Sequence, residues 1–166
     1  MKKAWMIFCC LVTVSFGAVA QSEEDAPTVY VIDSVQTTSA ALEKISPDQL
    51  ASITVAKGQK AVDKYGPQAA NGVVYIETKP FARRRINKLF SEASPAYDQL
   101  LKRYGNDSSF CYIINNKPVS PVGEARLMTL DKKTFISLEI LTPRQLQKKF
   151  QINGKKAGVL IISTEE

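Results

Sequence analysis

The sequence predicts an α/β (α+β) fold made of two similar β-α-β-α-β units joined by a helical bridge. Three observations support this. Apolar runs typical of buried strands recur in both halves, Gly and Pro punctuate them at similar places, and a helical pattern separates the halves. The predicted divisions are a signal peptide, a flexible leader, a first repeat, a bridge and a second repeat, at residues 1–20, 21–27, 28–79, 80–105 and 106–166.

The first 20 residues have the pattern of a secretory signal peptide. Lys2 and Lys3 supply positive charge, residues 4–16 form an apolar run, and the small residues 18–20 suit a signal peptidase. The apolar run is short for a membrane helix, which needs about 20 such residues. We therefore expect cleavage before Gln21, export, and a mature chain with no membrane span.

Composition limits the classes of protein to which the mature chain can belong. The formal net charge falls from +6 to +4 because two lysines leave with the signal peptide. This weak positive charge favours an envelope or acidic partner over nucleic acid, since aromatic residues do not interleave with the basic ones. Only Cys111 remains of three cysteines, so we expect no intramolecular disulfide and interpret Cys111 as a buried strand residue.

The two halves of the chain follow the same order of elements. Small changes of offset between them are what differences in loop length would produce in two copies of one motif. The last pair of segments aligns Gly72 with Gly158. The corresponding segments are residues 28–33 with 110–115 at an offset of 82, residues 52–55 with 137–140 at 85, and residues 72–78 with 158–164 at 86.

The first half of the first unit is predicted to be a strand, a short helix and a second strand. Residues 28–33 form the apolar strand and residues 39–44 the short helical stretch. Ser46 is a candidate helix cap, with Pro47 at the first helical position. Ile53 alternates with polar neighbours, as residues of a half-buried strand do.

The second half of the unit is predicted to be a helix followed by a buried strand. Apolar residues three and four apart form one helix face that ends at Tyr65. Gly66 can end the helix in a left-handed conformation. Asn71 and Gly72 then turn the chain into a strand at residues 73–78. These residues, like Gly158 in the second copy, are interpreted as structural.

Two helices are predicted in the bridge, at residues 81–90 and 95–104. Their apolar residues would cover a sheet, whereas Arg83, Arg84 and Arg85 are predicted to face water and are the candidate partner-binding residues. The predicted core is Val29, Val31, Ile53, Val55, Ala61, Val62, Tyr65, Val73, Val74, Ile76, Ile113, Leu138, Ile140, Phe150, Val159, Leu160 and Ile162.

The first unit resembles the plug domain of TonB-dependent outer-membrane receptors, especially that of the large glycan-importing receptors of Bacteroidetes-type bacteria. The resemblance rests on the stretch from Ile45 to Gly58, on Tyr65-Gly66, and on Asn71 to Lys79, which keep the family's order and spacing. Residues 110–164 fit only in outline.

The sequence also departs from the plug pattern. Ser34 stands where the family has a turn glycine, and Ala56 stands where a large apolar residue is usual. We expect this chain to act without the receptors' large β-barrel. The resemblance extends to plug-like repeats at the periplasmic ends of membrane-bound sensor peptidases, and it implies an interaction module.

No catalysis, cofactor or metal is expected. The sequence contains no histidine, which removes the commonest general base and the commonest metal ligand. Cys and carboxylate residues do not have the spacing of a metal site. The leading hypothesis is a periplasmic interaction module, either free or associated with the outer membrane.

This module would dock onto a TonB-dependent receptor, a TonB-type coupling protein or a sensor peptidase system, through a sheet edge or the basic bridge. A second hypothesis is a protein that binds a small ligand or a glycan on stacking tyrosines. A third is a receptor fragment with no function of its own. The candidate stacking residues are Tyr30, Tyr75, Tyr97, Tyr104 and Tyr112.

Overall fold

A computed structural model describes residues 28–121 and 123–164 of the protein. The predicted signal peptide and flexible leader lie outside the described residues. The described chain forms two four-stranded mixed sheets with helices, which confirms the predicted α/β (α+β) class.

The first sheet is built from residues 29–78. Its strands are β1 (Val29–Ile32), β2 (Val35–Thr37), β3 (Leu50–Ala56) and β4 (Val73–Thr78), in the order β2-β1-β4-β3. β1 is parallel to β4, and the other two neighbouring pairs are antiparallel. The helices of this unit are α1 (Ser39–Leu42) and α2 (Gln59–Tyr65), with 3₁₀ turns at Pro47–Gln49 and Pro67–Ala69.

The bridge consists of α3 (Lys79–Ala93) and α4 (Pro95–Tyr104). The side chains of Thr78 and Ser94 cap them, accepting hydrogen bonds from the N–H groups of Phe81 and Tyr97 at 3.4 and 3.2 Å. Each helix has a Pro near its start, where the missing N–H is not needed. The two predicted bridge helices are therefore present, and the first is longer than predicted.

The second sheet has the topology of the first. Its strands are β5 (Phe110–Ile114), β6 (Lys117–Pro118), β7 (Phe135–Leu141) and β8 (Ala157–Ser163), in the order β6-β5-β8-β7. β5 is parallel to β8, and the other two neighbouring pairs are antiparallel. Helix α5 (Glu124–Thr129) precedes β7, and α6 (Pro143–Phe150) follows it.

Two local irregularities occur at matching places in the two units. A β-bulge shifts the register between Leu50 and Ser52 in β3, and another shifts it between Phe135 and Ser137 in β7, 85 residues later. Two-residue turns with positive φ also join β1 to β2 and β5 to β6, at residues 33–34 and 115–116. These shared features support the repeat.

The short strands β2 and β6 were not predicted from the sequence. Each pairs with the preceding strand through a two-residue turn with positive φ at both positions. Asp33 and Ser34 occupy the first turn, where hairpins usually carry Gly or Asn-Gly. Thr78 stabilises this turn by donating from its N–H and Oγ1 to the Asp33 carboxylate, at 2.8 and 2.7 Å.

The alignment of Gly72 with Gly158 is wrong by one residue. Val29 pairs with Val73, and its counterpart Cys111 pairs with Gly158, so Val73 corresponds to Gly158 and the offset stays at 85. The two glycines also serve different purposes. Gly72 has φ +117°, whereas a Cβ at Gly158 would lie 2.7 Å from Cδ2 of Leu146 in α6.

The predicted end of α2 agrees with the structure. The helix ends at Tyr65, and the N–H of Gly66 donates to the carbonyl of Val62 at 2.7 Å. Gly66 has φ +86°, a conformation that favours glycine. Asn71 lies exposed in the turn that leads into β4.

The predicted core is partly correct. Ile53, Val55 and Ile162 are exposed, so their prediction as core residues is wrong. Val62, Tyr65, Val74, Leu138, Ile140, Phe150 and Leu160 are half-buried. The residues confirmed as buried are Val29, Val31, Ala61, Val73, Ile76, Ile113 and Val159.

Candidate interaction surface

One face of each sheet packs against the helix that precedes its last strand. In the first unit α2 contributes Ala61 and the partly buried Tyr65 to a cluster with Val29, Val31 and Val73. In the second unit α6 takes the same position. It contributes Leu146 to a cluster whose other members include Cys111, Ile113 and Leu141.

The opposite face of the second sheet is covered by the bridge helices and α5. Ile86 and Phe90 of α3, Tyr97 of α4 and Leu127 of α5 belong to the largest buried cluster of the described residues. Phe90 lies edge-on to Tyr97, with ring centroids 5.4 Å apart. The strand residues beneath this cover are Phe110, Tyr112, Ile114, Val159 and Ile161.

The corresponding face of the first sheet, which we call the outer face, is apolar and only partly covered. Strand pairing aligns its residues in two rows across all four strands. Val35 is 66% exposed, Ile53 56% and Val55 55%. The rows are Thr37, Tyr30, Val74 and Val55, and Val35, Ile32, Ile76 and Ile53.

Equivalent residues of the two sheets therefore have different surroundings. Tyr112 and Ile114 are buried, whereas their counterparts Tyr30 and Ile32 are half-buried. Ile76 is the one residue of the outer-face rows that is buried. Single exposed apolar residues are normal on proteins, but contiguous apolar surface is typical of interaction sites. The outer face is thus the candidate interaction surface.

The two edges of the first sheet are formed by β3 and β2. α5 and α3 lie against β3, which forms one edge. β2 forms the other edge and contains three residues, Val35–Thr37. Docking of a partner strand at a sheet edge, the mode expected from the sequence, stays a prediction.

Arg83 does not face water as predicted. Its guanidinium donates to the carboxylate of Asp107 at 3.2 Å and to that of Glu124, and lies 5.7 Å from the centroid of the Tyr112 ring. The side chain of Asp107 is 9% exposed, so this ion pair is largely shielded from solvent. Arg83 thereby links α3 to the second unit.

Arg85 also has internal partners, which corrects its prediction as a solvent-facing residue. It binds Glu77 of β4 through two hydrogen bonds of 3.0 and 2.9 Å. It also donates to the carbonyls of Met128 and Leu130, each at 2.6 Å. A single guanidinium therefore joins the first sheet, the bridge and the end of α5.

Arg84 is the one of the three arginines whose side chain is exposed, and it lies 5.9 Å from the ring of Phe81. The sequence did not reveal these differences because the partners of Arg83 and Arg85 lie up to 45 residues away. The predicted role of the arginines in partner binding stays a prediction.

The proposed stacking tyrosines are mostly engaged within the protein. The hydroxyl oxygens of Tyr97 and Tyr112 lie 2.8 Å apart, and the Tyr112 hydroxyl donates to Asp107 at 2.7 Å. Burial raises the pKa of both tyrosines well above the usual value. Tyr75 lies edge-on to Tyr65, and Tyr104 lies edge-on to Phe110.

A cleft of about 440 Å³ borders this buried polar network. Arg83, Asp107, Tyr112, Glu124 and Lys155 line it together with apolar residues. Burial raises the pKa of the Cys111 thiol, which also borders the cleft, and Lys155 partly offsets that effect. The cleft mixes both signs of charge with aromatic surface.

Within residues 28–121 and 123–164, no group of three or more His, Cys, Asp or Glu residues is placed to hold a metal ion. The helices of this part of the chain are all too short or too polar to cross a membrane. Comparison of the chain with protein-family models, curated proteins and solved structures gave no match.

Proposed function

We propose that this protein is an exported, non-enzymatic interaction module that docks onto an envelope protein through the outer face of its first sheet. The observation that carries the proposal is the exposure of the apolar side chains of Ile53 and Val55 on this face, because their counterparts in the second sheet, Leu138 and Ile140, pack against its buried cluster. The resemblance to plug domains favours a TonB-dependent receptor, a TonB-type coupling protein or a sensor peptidase system as the partner.

The energetics of the outer face suit a modest, reversible interaction. Fully burying a Val or Ile side chain contributes about 1.5–3 kcal/mol, and Val35, Ile53 and Val55 are already partly buried in the sheet. Docking would therefore gain about 1 kcal/mol from each of them. Flanking half-buried residues such as Tyr30 and Val74 would add to this contact.

Site-specific photocrosslinking in the native envelope tests the proposal. A photoreactive amino acid at Val55 points from the outer face, and one at Thr54 points from the opposite face of the same strand. Both side chains are exposed, so Thr54 is a matched control. We expect Val55 to capture a defined envelope protein and Thr54 to capture much less. Equal capture at both sites, or capture at neither, would contradict the proposal.

A second candidate function is the binding of a small ligand or glycan. The cleft of about 440 Å³ beside Tyr112 favours it, because its volume and mixed lining suit a small polar molecule. Thermal denaturation of the mature protein with a panel of glycans and siderophores tests it. A ligand that binds the folded state should raise the melting temperature. No shift with any member of the panel would count against this function.

A further inference from the structure

We propose that the cleft beside Tyr112 binds a zwitterion, either a free amino acid or a short peptide, through its ammonium and carboxylate groups. This inference rests on the second candidate function, the binding of a small ligand, and names the chemical class of that ligand. The cleft measures about 440 Å³ and lies where residues 107–112 meet the segment after β6 and the segment before β8. Its volume is in the range of small-molecule sites.

The buried carboxylate of Asp107 is the first observation behind the proposal. Its side chain is 9% exposed, and both hydrogen bonds that it accepts go to Oδ2, from Nη1 of Arg83 at 3.2 Å and from the hydroxyl of Tyr112 at 2.7 Å. Oδ1 accepts no hydrogen bond from the described residues and stays accessible to solvent. A carboxylate fixed at one oxygen and free at the other can accept a hydrogen bond from an N–H group of a ligand.

The charges around this carboxylate are unbalanced. The guanidinium of Arg83 forms ion pairs with both Asp107 and Glu124, so two carboxylates share one positive charge. The excess negative charge lies partly shielded from water, where a charge needs a partner of opposite sign. An ammonium group supplies that charge together with three hydrogen-bond donors. This end of the cleft therefore suits the ammonium group of a ligand.

Lys155 supplies the opposite charge in the same cleft. The N–H of the next residue, Lys156, donates to the carbonyl of Ser109 at 3.0 Å and fixes this segment beside β5. Burial raises the pKa of the Cys111 thiol, and the Lys155 ammonium partly offsets that effect, so its charge acts at the cleft. No carboxylate of the described residues forms an ion pair with Lys155. Lys155 is therefore available to the carboxylate of a ligand.

This arrangement of charges distinguishes between classes of ligand. A simple anion would be attracted by Lys155 but repelled by Asp107 and Glu124, and a simple cation would meet the reverse. A neutral glycan would leave both charges without a partner. A zwitterion satisfies both charges at once. The apolar lining that would contact its side chain consists of Phe110, Val119, Pro121 and Leu127.

Titration calorimetry tests this inference. The mature protein is titrated with free amino acids and with dipeptides whose side chains are apolar, polar, acidic or basic. The dipeptide that binds most tightly is then compared with its N-acetylated form and its C-amidated form, each of which lacks one charge. We expect each capped form to bind about tenfold more weakly. Equal binding of the free and capped forms, or no binding by any member of the panel, would overturn the inference.

Matched variants test whether the binding occurs in the cleft. Lys155→Gln removes the charge of an exposed side chain, so the fold should be unaffected. It should weaken binding of the free dipeptide about tenfold and leave binding of the C-amidated form unchanged. Lys156→Gln removes the neighbouring exposed charge, which does not line the cleft, and should bind as the wild type does. Wild-type binding by Lys155→Gln would overturn the inference.

These titrations separate failure of the inference from failure of the function on which it rests. A glycan or siderophore that raises the melting temperature, when no amino acid or dipeptide binds, would keep the ligand-binding function and remove the zwitterion. No binding in calorimetry and no thermal shift with glycans or siderophores would remove both.

Discussion

The two sheets of this protein share strand order, pairing directions, turn geometry and bulge position, yet one apolar face is buried and the other is only partly covered. Tyr112 and Ile114 lie beneath the bridge helices, whereas Tyr30 and Ile32 lie on the outer face. The strand pattern therefore determines that a face is apolar. A distant segment of chain determines whether that face is covered.

The substitution with the largest expected effect removes part of the helical cover of the second sheet. Phe90 is fully buried between α3 and the second sheet and contacts the rings of Tyr97, Tyr112 and Phe135. We expect Phe90→Ala to lower the free energy of unfolding by about 3–5 kcal/mol, because a large cavity replaces the ring. Denaturant titration measures this. A loss below about 1 kcal/mol would show that the cover contributes little.

A matched pair of substitutions compares the two sheets directly. Ile114 is fully buried, whereas its counterpart Ile32 is half-buried. We expect Ile114→Ala to cost about 2–5 kcal/mol of unfolding free energy and Ile32→Ala about 1 kcal/mol. Urea denaturation of both variants under the same conditions provides the measurement. Equal losses would contradict the difference in burial.

The link between the two units is tested at Arg85. Arg85→Ala removes the two hydrogen bonds to Glu77 and those to the Met128 and Leu130 carbonyls. We expect a loss of about 1–2 kcal/mol, reduced by the partial exposure of the pair. Arg84→Ala is the control and should change the unfolding free energy by less than about 0.5 kcal/mol. Thermal or chemical denaturation that finds no difference between the two variants would refute the assignment.

Alkaline pH should destabilise the protein, with no effect at neutral pH. Burial raises the pKa of Tyr97 and Tyr112, so these hydroxyls ionise more readily in the unfolded chain than in the folded protein. The folded state should therefore lose stability as the pH rises above about 10, the ordinary pKa of tyrosine. Unfolding measured at pH 8 and pH 11 checks this. If Tyr112→Phe lost as much unfolding free energy between pH 8 and pH 11 as the wild type, burial of Tyr112 would not be the cause of the loss.

Much of the fold could be predicted from the sequence because its signals are local. Gly66 marks the end of α2, and apolar runs mark β1, β4, β5 and β8. The strands β2 and β6 were missed because their turns place non-glycine residues such as Asp33 and Asn115 at positive φ. Those turns depend on side-chain bonds to residues 45 and 48 positions away, which no local pattern reveals.

The candidate site could be predicted only in part. Alternation in β3 indicated an apolar face that contains Ile53 and Val55, but it could not indicate whether anything packs on that face. The arginine run was interpreted as solvated because its partners, Glu77 excepted, lie more than 20 residues away. Long-range contacts therefore decided both points.

The shared bulge has a consequence for hydrogen exchange. A bulge leaves one residue of the ladder unpaired, and here residues Ala51 and Ile136 occupy the same place in the two sheets. Both amides lie at the same kind of local defect, so their exchange rates compare the two sheets at equivalent positions. The difference between those rates then reports how readily each sheet opens locally around its bulge.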